Sequence, residues 1–355
     1  TLRLPNRHLH SKTCLLNRLL VFFLILSVLS FYIYVKATTG VRHLVGKVVL
    51  VTGGTSGIGY ETAADLAERG ARVLIASNER HGDSVRDNIV ALSGNTDVHF
   101  IYLDLASLAS VRSVATDIIA KEKRLDILVN NAGVFLAKRG LTEDGLTLAM
   151  QINYFGPFLL TGLLLPIITK TPSSRIVNVS SKVYRFGRVD LERLNEPRTG
   201  CLSSFLAYCD SKLCVALMTV ELARRLHGTG VTANFLHPGC SLTNICRLDT
   251  FIKKVGFQIL LIKYFLKTPR EAAQTTTHLA VSAEVEKVSG CYFRNCKAMK
   301  LPEKVRNKDL AKQLWNVSNE FVNLSTRIGG RGNYKNSRHS FIAELGSVES
   351  VGRLV

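Results

Sequence analysis

Acidic side chains are absent from the first 47 residues of this 355-residue chain, although seven Lys/Arg fall there. The formal charge is +19, but residues 251–305 carry a net +6 and the tail 326–355 a net +3, leaving the body close to neutral. A basic excess beside apolar segments and in a polar tail fits a membrane surface and argues against a nucleic-acid groove. Eight cysteines occur (Cys14, Cys201, Cys209, Cys214, Cys240, Cys246, Cys291, Cys296) with no C-x-x-C pair and no regular spacing. A disulfide framework is thereby excluded as a reading, and free thiols in a reducing compartment are expected. No His/Cys group has zinc spacing, so no metal is expected. Internal repeats are missing as well.

What is present begins with "LLVFFLILSVLSFYIYV", Leu19 to Val35. At about 1.5 Å per residue this run just crosses a bilayer core. Arg18 and Lys36 flank it as interface anchors, and the aromatic, β-branched end lacks the small-x-small site of a cleaved signal. We read residues 1–18 as a basic segment and 19–35 as an uncleaved transmembrane anchor, its orientation left open by basic residues on both sides.

From Lys47 strands and helices alternate. "KVVLVTGG", "ARVLIASN", "VHFIYLDLAS", "LDILVNNAG", "SRIVNVSS" and "VTANFLHPG" read as six strands. Helical patterns lie between them in "IGYETAADLAERG", "VRSVATDIIAKEK", "GLTLAMQINYFGPFLLTGLLLPIIT" and "AYCDSKLCVALMTVELARRL". This alternation predicts an α/β fold with a doubly wound, mostly parallel, Rossmann-like sheet in a single domain over 45–320. Residues 326–355 lack periodicity and read as a disordered tail. The sequons at Asn178, Asn316 and Asn323 are weak patterns, and Asn178 falls in a run expected to be a buried strand.

"TGGTSGIG", Thr52 to Gly59, joins the first strand to the first helix. Small residues let a diphosphate approach the backbone where free N–H groups and the helix dipole favour anions. Thr52, Gly53, Thr55, Ser56, Gly57, Ile58 and Gly59 are therefore candidate cofactor residues. The second strand ends in Ser77-Asn78-Glu79-Arg80. A carboxylate at such a tip binds a ribose 2′-hydroxyl and an Arg takes a 2′-phosphate; here neither sits squarely, so NAD and NADP both stay open. Asp104 and Leu105 close the third strand; Asp104 either accepts from the adenine amino group or caps the next helix.

"YCDSK" places Tyr208 and Lys212 one helical turn apart, a spacing that by itself also describes two ordinary helix neighbours. Taken in order, "TGGTSGIG", "NNAG" (130–133), Asn153, "NVSS" (178–181), "YCDSK" (208–212) and "HPGCSLT" (237–243) resemble the short-chain dehydrogenases/reductases. The apolar N-terminus, the long insert between Ser181 and Tyr208, and "FLAYCDSKL" look like the membrane-bound retinol dehydrogenases. "VTGGTSGIGYETA", "FLKTPREAAQT" and "LAKQLWNVSNEF" are most similar to a polyprenol-oxidising branch of the family. Lys182 and Tyr184 stand where relatives often have small or histidine residues.

The resemblance implies an NAD- or NADP-dependent enzyme that interconverts a lipophilic primary alcohol and its aldehyde. Polyprenol and dolichal are the first expectation and retinoids or steroids the second; a catalytically silent dinucleotide-binding scaffold is the rival from another class. It carries catalytic roles onto Asn153, Ser181, Tyr208 and Lys212. Asn131, Ala132 and Gly133 fall on the adenosine side, and Pro238, Gly239 and Thr243 over the nicotinamide. It also implies a membrane of the endoplasmic reticulum or lipid droplet, a cytosolic catalytic domain, and a homo-oligomer. A free tyrosine titrates near 10, so a neighbouring ammonium is needed to make it an acid/base at neutral pH. Ser181 is expected to hold the substrate oxygen, and Asn153 a water that links Lys212 to solvent. The cysteines near this helix and His237 are expected to pack.

"FIKKVGFQILLIKYFLK", 251–267, gathers Phe251, Ile252, Val255, Ile259, Ile262, Phe265 and Leu266 on one helical arc, with its lysines elsewhere. A lid lying in the membrane interface and a buried or dimer-contact helix are the two readings.

Overall fold

The computed structural model describes residues 44–137, 140–239 and 267–324. Its centre is β1 (Val48–Thr52), buried at every position, as a strand covered on both faces must be. Around it stand β2 (Arg72–Ser77), β3 (Val98–Tyr102), β4 (Ile127–Asn130), β5 (Arg175–Val179) and β6 (Thr232–His237). Two further strands, β7 (Tyr292–Arg294) and β8 (Lys297–Met299), complete an eight-stranded sheet in the order β3-β2-β1-β4-β5-β6-β7-β8. All pairings are parallel except β7–β8. The strand order reverses between β1 and β4, and a crevice opens at such a switch point beyond the carboxyl ends of the strands.

The helices are α1 (Gly57–Glu68), α2 (Gly82–Ser93), α3 (Leu108–Lys121), α4 (Leu148–Lys170), α5 (Ser203–Arg225), α6 (Pro269–Val281), α7 (Glu303–Arg306) and α8 (Lys308–Phe321). They cover the two faces of the sheet with separate apolar cores. One core contains Val111, Phe158, Leu217 and Trp315; the other contains Leu66, Ile89 and Leu279. Trp315 meets Phe158 edge-on at 4.8 Å and takes the Arg225 guanidinium 4.7 Å from its ring centroid. These contacts hold α8 against α4 and α5.

The six strands expected from the sequence are present, whereas β7, β8, α2, α6, α7 and α8 lie outside that reading. At three residues each, β7 and β8 are too short to display a period. They form a hairpin whose two loop residues, Asn295 and Cys296, both have positive φ (51° and 59°), the backbone that matches the twist of the flanking strands.

α4 is the one helix among the described residues long and apolar enough to cross a membrane, but 78% of that stretch is buried inside the fold. It is a core helix. It is also irregular, since Gln151–Phe155 form a π-helical turn. Pro157 has no N–H to return to the carbonyl of Asn153, which removes one α-helical bond there. Asn178 is a strand residue as expected, fully buried, accepting from Asn130 Nδ2 at 2.8 Å and donating to Thr219 at 2.9 Å. The expected anchor at 19–35, the basic segment before it, the amphipathic stretch 251–266 and the tail 326–355 lie outside the described residues.

Candidate active site

β1 ends in Thr52, and the chain turns at Gly53 with φ +64°. A Cβ on Gly59 would sit 2.1 Å from the Gly53 carbonyl oxygen and 2.4 Å from Asn131 Nδ2. The turn therefore closes only with glycine at 59. Asn131, just past β4, donates through Nδ2 to the carbonyls of Thr52 at 2.9 Å and Gly53 at 3.3 Å. In return Thr52 Oγ1 accepts from the backbone N–H groups of Asn131 and Ala132 at 3.0 and 3.1 Å. These bonds tie the glycine turn to the loop after β4 on either side of the switch point.

A cavity of about 640 Å³ lies above this junction. The N-cap of α1, Ser56, places no side-chain bond on the helix's first N–H groups, and Ser56, Gly57 and Ile58 line the cavity. A diphosphate fits such an end, where open donors and the helix dipole meet its charge. From there the lining runs over the ends of β2 to β6: Ser77 and Asn78, Asp104 and Leu105, Asn131 to Gly133, Val179 and Ser180, and Pro238. Tyr208 and Lys212 of α5 also line it.

Thus the structure brings together Thr52, Gly53, Thr55, Ser56, Gly57, Ile58, Ser77, Asn78, Asp104, Leu105, Asn131, Ala132, Gly133, Pro238, Tyr208 and Lys212 on one wall-to-wall crevice. Gly59 lies beneath the turn rather than on the lining. Thr243 lies outside the described residues, and Gly239 is the last described residue before that gap. Sequence reasoning did not assign Glu79, Val134, Phe135, Leu136 and Ile152, which also line the cavity. "NNAG" marks the turn after β4, but no spacing rule says that the residues following it bend back over the crevice.

At the tip of β2 the Ser77 hydroxyl accepts from Thr55 at 2.9 Å and from the backbone N–H of Glu79 at 3.3 Å. Asn78 and Glu79 are left at the cavity edge, both exposed. Asp104 lines the crevice and accepts from the N–H of Ala106 at 2.9 Å; it does not cap α3, whose N-cap is Ser107, accepting from the N–H of Ser110 at 3.2 Å.

Lys212 is 4% exposed. Its Nζ donates to the carbonyl of Val179 at 2.9 Å and stands 5.7 Å from the Tyr208 ring centroid. Burial pulls the ammonium down to about 8, which leaves it charged at neutral pH. Asn153, on the π-turn, accepts from the N–H of Val134 at 2.7 Å and donates to Val134 O and Ser211 Oγ, each at 3.0 Å. Both amide hydrogens are engaged, so the side chain braces the loop after β4 against α5. The two serines divide as well. Ser180 is buried and donates to the carbonyl of Lys212 at 2.9 Å. Ser181 opens the 3-10 turn Lys182–Phe186 without capping it and is not among the residues lining the cavity.

Of the thiols expected to pack beside the site, Cys240 lies outside the described residues. Cys209 and Cys214 are fully buried; burial, with Asp210 nearby, raises Cys209 to about 11 and pushes Cys214 up as well. His237 is buried with Nδ1 lacking a hydrogen bond. Burial, aided by Lys267, Arg294 and Lys182, pulls it down to about 4, so it is neutral at physiological pH.

A diphosphate-accepting turn at a switch point, leading to a tyrosine beside a buried ammonium, defines a nicotinamide-dependent oxidoreductase. Comparison with known proteins agrees: the short chain dehydrogenase family model matches residues 47–193. Human (Homo sapiens) retinol dehydrogenase 11 is 39% identical over 317 residues, covering 86% of this chain and 98% of that protein. Dehydrogenase/reductase SDR family member 13 of Bos taurus is 41% identical over 305 residues, covering 84% and 79%. Among solved structures, the Pseudomonas aeruginosa RhlG/NADP active-site complex aligns with a TM-score of 0.56 at 27% identity, covering 71% of this chain and 95% of that one. The chain belongs to the short-chain dehydrogenase family and is an NAD(P)-dependent oxidoreductase.

Proposed function

We propose that this enzyme interconverts a lipophilic primary alcohol and its aldehyde, with Tyr208 as the acid/base. The observation that carries the reading is the Tyr208–Lys212 pair lining a crevice shaped for a dinucleotide. Bound there, the nicotinamide supplies the hydride acceptor or donor. The turn from Thr52 to Gly59 with the first N–H groups of α1 holds the diphosphate, and Asn131 to Gly133 flank the adenosine side. Lys212 favours the phenolate of Tyr208 by its charge and reaches toward the ribose. Tyr208 then takes the hydroxyl proton during oxidation and returns it during reduction. Ser181, whose hydroxyl is not spent on capping, orients the substrate oxygen, while Asn153 keeps Val134 and α5 in register.

The relatives favour a retinoid, since retinol dehydrogenases 11, 12 and 14 are similar to this chain. The polyisoprenoid reading rests on the segments "VTGGTSGIGYETA", "FLKTPREAAQT" and "LAKQLWNVSNEF". A membrane anchor at 19–35 would give either substrate its route from the bilayer. Purified full-length enzyme assayed with retinol, polyprenol and a short alcohol, each with NAD and NADP, tests the reading. Turnover of a lipophilic alcohol that Tyr208→Phe abolishes, with cofactor binding retained, is the expected result. Cofactor binding without turnover of any alcohol by the unaltered enzyme would favour the silent scaffold.

A further inference from the structure

The loop after β4 is held more firmly than a loop needs to be. Both backbone groups of Val134 are bonded to the Asn153 amide. Two residues on, Leu136 takes φ +52° without being glycine, a left-handed conformation that a side chain disfavours. Such backbone outliers cluster where a site requires them. Between these two constraints stands Phe135. Its ring meets that of Tyr208 nearly perpendicular, 81° at 4.9 Å between centroids, and that of Phe205 at 89° and 6.4 Å. Phe205 lies one turn before Tyr208 on α5. Phe135 lines the crevice, and the adjoining Leu136 is 55% exposed at its edge.

Resting on the reading of Tyr208 as the acid/base, we propose that Phe135 is a specificity-determining residue that selects alcohols unsaturated beside the carbinol carbon. Because the Phe135 ring touches that of Tyr208 and lines the same crevice, it is within reach of the carbons next to an alcohol oxygen held at the Tyr208 hydroxyl. A flat C=C unit packs on an aromatic wall with its π-faces engaged, whereas a staggered saturated chain makes fewer such contacts. Phe135, Leu136 and Phe205 give the wall apolar side chains. Retinol and long polyprenols share the allylic alcohol group, and the wall reads that shared chemistry rather than the length of the tail.

The test uses a matched pair, trans-2-decen-1-ol and 1-decanol, with full-length enzyme in detergent micelles. The ratio of kcat/KM for the two alcohols is compared between the unaltered enzyme and Phe135→Leu, which keeps an apolar side chain at that position. We expect the preference for the unsaturated alcohol to fall about three- to tenfold in the variant, the range of one aromatic contact. The change should lie in KM, with the pH profile and nicotinamide binding retained. An unchanged ratio, with cofactor binding intact, overturns the inference alone. If the unaltered enzyme binds cofactor but oxidises neither alcohol, the alcohol-dehydrogenase reading fails first and the inference falls with it. Should Phe135→Leu lose cofactor binding, Phe135→Met is measured in its place against the same two outcomes.

Discussion

The ammonium of Lys212 is bonded at 2.9 Å to the carbonyl oxygen of Val179, the last residue of β5. The lysine therefore links the catalytic helix to the sheet while holding its charge 5.7 Å from the Tyr208 ring centroid. Replacing Tyr208 and replacing Lys212 should have different consequences. Tyr208→Phe removes the group that carries the proton but leaves the crevice and the charge; turnover should fall by about 10² or more, with nicotinamide binding retained. Lys212→Met should lower turnover to a similar degree and also weaken cofactor binding. Nicotinamide fluorescence beside steady-state rates separates the two. Equal cofactor affinity in both variants would detach Lys212 from the ribose.

The glycine turn makes a sharper demand. Gly59→Ala would place a methyl 2.1 Å from the Gly53 carbonyl and 2.4 Å from the Asn131 amide, contacts that no side-chain rotation relieves. The turn must open, and the donors at the N-terminus of α1 move with it. Cofactor affinity should drop about tenfold or more, with a lower Tm, by fluorescence titration and thermal unfolding. Wild-type affinity in this variant would place the diphosphate elsewhere.

His237 adds a pH-dependent term to stability. Its folded value is about 4 against an ordinary 6.5, chiefly because it is buried. Between those values the unfolded chain binds a proton that the folded chain refuses, so stability falls as pH drops from 6.5 toward 4. His237→Asn removes that titration. Urea midpoints at about pH 7 and about pH 5 should fall further in the unaltered protein than in the variant. Parallel losses would assign the acid sensitivity to other groups.

Much of this was legible in the sequence because local chemistry and the global fold agree there. β1, the glycine turn and α1 are adjacent in sequence and need one another, and the Tyr208–Lys212 pair is written into one helical turn. What could not be read depends on distant residues. Three-residue strands such as β7 exist because β6 offers an edge. The role of Asn153 is decided by Val134 and Ser211, nineteen and 58 positions away. The choice between Ser180 and Ser181 turns on which hydroxyl α5 claims. The crevice wall at Phe135 depends on a loop bend that no periodicity announces.

The insert between Ser181 and α5 is strapped to the catalytic helix through the carboxylate of Asp210. Asp210 lies two residues from both Tyr208 and Lys212; it accepts from the backbone N–H of Arg188 at 2.7 Å and from Arg198 Nε at 2.7 Å. Gly187 fits this path because a Cβ there would lie 2.4 Å from the Cys209 carbonyl. From the other side, Lys304 donates to the carbonyls of Arg185 and Gly187 at 2.9 and 3.0 Å. Asp210→Ala leaves the Arg188 N–H without its partner and frees Arg198. Since the Arg198 side chain is 39% exposed, its released charge is solvated and the ion pair itself counts for little. The cost should be about 2 kcal/mol, mostly from the lost charge-assisted bond to the backbone. Asp210→Asn keeps an acceptor for Arg188 and should lose less. Chemical denaturation gives the two stabilities, and limited proteolysis between residues 187 and 200 reports whether the strap has lifted. If Asp210→Ala is no less stable and no more readily cut than the unaltered protein, the Lys304 contacts and the bonds of Asn195 to Thr147 and Gly145 hold the insert in place without it.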